Sequence, residues 1–171
     1  MRFAKLILTG IIGMFIIMTL LSLLIPSKVV VSRTTLINNT TVAKVQQQLH
    51  SFNSWRNWYP VFKNESVQIK IDSISNTAKI NYQGKTAELK FTSETDSSIS
   101  FLTIAPGEND ISNQIIAIAV PKQNNVQVEW RAVNKLKWYP WEKFYGIFVD
   151  KLTGGSYEAG LQGLKEYLET H

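Results

Sequence analysis

Hydrophobic and polar positions fall into three regimes along the chain. Leu6 to Ile25 is a run of twenty residues without a charge, enough at about 1.5 Å per residue to cross roughly 30 Å of hydrocarbon. This predicts a transmembrane helix. A cleaved signal peptide is the rival, but its apolar core is usually about 7–15 residues long and ends at a small-x-small site. Leu24-Ile25-Pro26-Ser27-Lys28 offers no such site, so a retained anchor over residues 1–27 is expected, followed by one domain over 28–171.

The middle regime alternates. Lys28 to Asn38 is rich in β-branched residues and reads as a strand starting directly after the anchor. Asn39 or Thr40 then caps a short helix with Val42, Val45 and Leu49 on its buried face, and a segment holding Phe52, Trp55, Trp58 and Tyr59 closes at Pro60. Six more strands are predicted, at Ser66–Ile74, Thr77–Gln83, Lys85–Thr95, Ser98–Ile104, Ile111–Val120 and Asn124–Asn134. Val67, Ile69 and Ile71 alternate with Gln68, Lys70 and Asp72, and Val126, Val128 and Trp130 with Gln127, Glu129 and Arg131. Such one-sided burial belongs to an antiparallel meander with a wet outer face. Short turns at Gln83-Gly84-Lys85 and Gln123-Asn124-Asn125 suit hairpins.

In the third regime, Pro140 to His171, the apolar spacing is three or four residues. Phe144, Ile147, Phe148 and Leu152 predict a short helix, Gly154 and Gly155 a hinge, and Tyr157, Leu161, Leu164 and Leu168 a longer helix. One stripe of this kind needs a large partner, and the strands supply it. The fold class is therefore α+β, a sheet of seven strands against a long C-terminal helix.

Charge changes the picture little. The net charge is +5, but Arg2, Lys5, Lys28 and Arg33 flank the apolar run and account for four of those charges. The rest of the domain is nearly neutral, which removes the main support for a nucleic-acid partner. The flanks suit a short N-terminal tail inside and the domain on the outer side of a cell membrane. With 171 residues and no cysteine, there is room for one sizeable core, and thiol chemistry and thiolate zinc sites are excluded.

Two segments carry a resemblance. The first is VVVSRTTLINNTTVAKVQQQLHSFNSWRNWYPVF, in which a strand leads to a helix and a Trp-x-x-Trp-x-Pro element, Trp55, Trp58 and Pro60; the second is PWEKFYGIFVDKLTGGSYEAGLQGLKEYL. Together with the strand order they resemble the START-like, or SRPBCC, superfamily, in particular bacterial members with an N-terminal membrane anchor. The resemblance implies a helix-grip fold: a curved seven-stranded antiparallel sheet wrapped on the C-terminal helix, with two short helices after the first strand. It also implies a cavity between sheet and helix that takes a hydrophobic small molecule or lipid. Candidate lining residues are Leu89, Phe91, Phe101, Ile116, Ile118, Trp130, Phe148, Leu161 and Leu164, with Trp55 and Trp58 near an entrance and Tyr82, Gln114 and Tyr157 as polar groups. The same side chains also suit a plain packed core.

Catalysis finds little support in the residues. His50 falls at a helix end and His171 is last, no glycine-rich phosphate loop or His–carboxylate cluster appears, and neither a metal nor a cofactor is expected. A polyketide cyclase or dehydratase-like enzyme, with a facing polar pair in the cavity, and an interaction module with a solid interior stand as alternatives. Trp138, Tyr139 and Trp141 among Lys135, Lys137 and Lys143 suit either a bilayer interface or the packing that starts the last helix.

Overall fold

The β-branched stretches pair into one antiparallel sheet of seven strands. In the computed structural model, which describes residues 2–171, these are β1 (Lys28–Asn38), β2 (Gln68–Asp72), β3 (Thr77–Tyr82), β4 (Lys85–Thr95), β5 (Ser98–Ile104), β6 (Ile111–Ala119) and β7 (Asn125–Lys135). Their order is β1-β7-β6-β5-β4-β3-β2. The meander thus runs from β2 to β7 by hairpins, and β1 returns to pair with β7 from Lys28↔Lys135 to Asn38↔Asn125. Gln83 and Gly84 both take positive φ, 51° and 78°, the conformation that a two-residue hairpin turn requires.

The helices are α1 (Arg2–Ser22), α2 (Val42–Leu49), α3 (Pro60–Lys63), α4 (Pro140–Gly146) and α5 (Val149–Thr170), with a 3-10 turn at Ser54–Asn57. Thr41, one residue past the expected caps, caps α2 by accepting from the Lys44 amide at 3.4 Å. α1 projects its apolar side chains away from the domain, and its length and composition are those of a membrane-crossing helix or a signal sequence. Its end is tied to the domain: the Leu136 amide donates to Ser27 O at 2.9 Å, and Lys143 donates to Ile25 O at 3.0 Å and Ser27 Oγ at 2.6 Å.

The long helix differs from expectation in its break and its phase. The chain turns at Ile147 and Phe148, where i−3 bonds from Ile147 N to Phe144 O and from Phe148 N to Tyr145 O tighten and end α4. Gly154 and Gly155 lie inside continuous helix and make no hinge. Gly154 is where α5 crosses the Arg33 guanidinium, which a Cβ would strike. Arg33 there grips Asp150 Oδ1 at 2.8 Å and Glu158 Oε1 at 2.6 Å, fastening the first turns of α5 to β1. The face of α5 toward the sheet is Val149, Gly160, Leu161, Leu164 and Leu168. Phe148 and Leu152 lie more than about 100° round the helix from the centre of that face; with Ile147 they point outward, 57 %, 62 % and 59 % exposed.

Candidate functional site

Between sheet and helix the aromatic residues meet in one block. Trp55, Trp58, Phe101 and Trp130 are all at most 2 % exposed, with Trp55 5.1 Å from Phe101, Trp58 6.5 Å from Trp130 and Trp130 5.2 Å from Tyr157 between ring centres. Each buried indole N–H has an acceptor. Trp55 donates to Leu49 O at 3.0 Å, Trp58 to Gln48 O at 3.1 Å and Trp130 to Asn113 Oδ1 at 3.1 Å. Asn113 in turn donates to Thr103 Oγ1 and Ile111 O, so this polar chain is satisfied inside the core. Gly160 and Gly163 let α5 close down on the block: a Cβ at Gly160 would stand 2.7 Å from the Trp130 ring, and one at Gly163 would meet the Trp58 carbonyl oxygen. Tyr59 and Tyr157 are neighbours here. Burial raises both phenols above their usual range, with the charge of Tyr157 adding to the rise at Tyr59 and a hydrogen bond to Thr153 drawing Tyr157 partly back.

Open space lies at the end of the sheet next to α1. A cleft of about 530 Å³ is bounded by the Gly107–Asn109 tip, by Ile111, Asn134 and Leu136 from β6 and the end of β7, and by Trp141, Glu142, Tyr145 and Thr153 from α4 and α5. The volume suits a small ligand, for which sites commonly span about 300–1,000 Å³. Asn109 Nδ2 donates to Glu142 Oε1 across it, joining the tip to α4. Asn134 Oδ1 is buried and has no partner among the described residues. An unpaired buried acceptor costs about 1–3 kcal/mol, which a donor on a bound molecule would recover once the side chain turned its Oδ1 into the space. A second opening of about 630 Å³ sits at the other end of the sheet, on strands β2–β5 around Gln68, Lys79 and Glu88. No helix borders it among its described lining residues. Of these two openings, the first is the one that lies between sheet and helix. Among the described residues no three His, Asp or Glu side chains converge to hold a metal ion.

No protein-family model matches the sequence, and no curated protein is significantly similar to it. Solved structures do match. A START superfamily protein from Mycobacterium smegmatis aligns with 83 % of this chain and 98 % of its own, at 12 % identity and TM-score 0.61. The Zhui aromatase/cyclase from Streptomyces sp. R1128 aligns with 83 % of this chain and 94 % of its own, at 14 % identity and TM-score 0.61. The chain has the START-like fold. The protein XoxI from Bacillus cereus shares it too, at 18 % identity and TM-score 0.57, over 81 % of this chain and 95 % of that one.

Within this START-like domain the sequence-predicted residues separate into three groups. Trp55, Trp58, Leu89, Phe101, Trp130, Leu161 and Leu164 are buried in the core block, with Phe91 and Tyr157 packed against it. Ile116 and Ile118 require correction: β6 turns Asn113, Ile115 and Ala117 inward, and Ile116, Ile118 and Gln114 lie on the outer face, Ile118 at 53 % exposed. Phe148 points outward for the reason of helix phase given above, and Tyr82 is 42 % exposed at the end of β3, its hydroxyl accepting from Gln83 Nε2. None of these residues lines the cleft. The residues that do, Asn134, Leu136, Tyr145 and Thr153 among them, were not singled out from sequence. Of the aromatic and lysine cluster noted around Trp138–Trp141, Trp141 and Lys137 do line it.

Proposed function

We propose that this START-like domain binds a hydrophobic small molecule or lipid, at the cleft beneath α4, and is held at the outer side of a membrane by α1. The observation that carries the reading is the cleft itself, ligand-sized, between sheet and helix, with Asn134 in its wall and the Oδ1 of that residue buried and unpaired among the described residues. Its position supports the membrane part, because α4, which forms one side, is bonded through Lys143 to the chain leaving α1. The orientation is supported by charge: Arg2 and Lys5 precede the apolar run with no acidic residue beside them, whereas Arg33 on its far side is paired with Asp150 and Glu158.

The test is native mass spectrometry of the full chain released from detergent micelles. The wild type is expected to carry a co-extracted apolar molecule. Thr153→Trp, which puts an indole into the cleft, is expected to lose it, and Asn134→Leu to lower its occupancy about tenfold, the equivalent of about one hydrogen bond. A wild type without adduct would remove the carrier reading. The filled aromatic block favours the second reading in that event, an interaction module that uses its surface.

A further inference from the structure

Much of the exposed apolar surface of the domain is concentrated in one short segment. Trp138, Trp141, Tyr145, Ile147, Phe148 and Leu152 are each 49–69 % exposed. Scattered exposed apolar residues need no explanation, whereas a contiguous set of this size marks a surface that is covered. We propose that this α4–α5 face is seated in the headgroup and acyl boundary of the bilayer that α1 crosses, so that the cleft opens onto the membrane. The proposal rests on the reading of α1 as a retained span.

Three observations select a bilayer as the occupant. Lys143, 5 % exposed, ties α4 to Ile25 and Ser27 just after α1, so the face cannot stand far from where α1 ends. Its chemistry is interfacial: Trp and Tyr favour headgroup depth and aliphatic side chains the layer beneath, with the exposed Lys137 and Lys151 placed to meet lipid phosphates. Trp141 and Tyr145 belong both to the face and to the cleft wall. A lipid-like molecule entering past them from the bilayer would not cross water.

The tryptophans report on this directly, because Trp55, Trp58 and Trp130 are buried and α1 contains none. The full chain is reconstituted into phosphatidylcholine vesicles whose acyl chains are brominated near the carbonyl, and its emission is compared with that in unbrominated vesicles. Clear quenching is expected. It should vanish in the Trp138→Phe/Trp141→Phe double variant and fall at least twofold in Phe148→Glu, which keeps both reporters and alters an exposed position. A chain that resists carbonate extraction yet shows no quenching would overturn the seating and leave the anchor standing. Release by carbonate would overturn the anchor and the seating with it. Shielding of both tryptophans from bromolipid and from aqueous acrylamide alike would place a second copy on the face and overturn the proposal.

Discussion

Trp130→Ala is expected to destabilise the domain by roughly 4–8 kcal/mol. Removing a buried tryptophan costs about 3–5 kcal/mol in transfer and cavity terms, and the loss of its N–H leaves Asn113 Oδ1 unpaired at about 1–3 kcal/mol more. Trp130 also joins the two halves of the core, contacting Trp55, Trp58, Tyr59, Phe101 and Tyr157. Since domains of this kind are stable by only about 5–15 kcal/mol, the alanine variant should approach the limit of folding. Trp130→Phe keeps most of the volume and loses the donor, so a smaller loss of about 2 kcal/mol is expected. Urea unfolding of the full chain in mild detergent, followed by near-UV circular dichroism, measures both. Equal stabilities for wild type and Trp130→Phe would show that the Asn113 bond contributes nothing.

The second large effect is expected where α5 is closest to backbone. A Cβ on Gly163 meets the carbonyl oxygen of Trp58, a main-chain atom that cannot rotate aside as a side chain could. Gly163→Ala must therefore lift the helix from the aromatic block, an overpacking cost of about 1–3 kcal/mol. Gly155 is the control, since its Cβ would meet nothing within 4 Å. At that position alanine should stabilise by up to about 1 kcal/mol through helix propensity alone. The same urea titration reads the pair, and the account requires opposite signs.

These two sites show what the sequence could and could not disclose. Strands alternating large apolar with charged residues are read easily, because only one face of an antiparallel pair is buried. Six of the seven expected strands agree with observed ones to within one residue at each end, and β2 is shorter at both. β6 is harder, since Ile115-Ile116-Ala117-Ile118 offers an isoleucine to either face. α2 packs over β6 and leaves room for the small Ala117 inward, which sends Ile118 out. The phase of α5 is misread for a related reason. Pattern reasoning equates apolar with inward, and Ile147, Phe148 and Leu152 are apolar on an open face. The cleft is not legible at all, because Asn134 on β7, Asn109 in the tip and Thr153 on α5 meet only once the sheet has formed and α5 has packed on it.

The central claim is that the ligand-sized space of this START-like domain is the cleft under α4, with the aromatic block as solid support. Photo-crosslinking in membranes containing a diazirine-bearing phospholipid, followed by peptide mapping of the full chain, tests it most directly. Label is predicted on the Ile111, Asn134–Tyr145 and Thr153 peptides, and its loss from them is predicted in Thr153→Trp. Label concentrated instead on the Trp55–Trp58 and Leu161–Leu164 peptides would contradict the account, since it would mean that the block opens and holds the ligand itself.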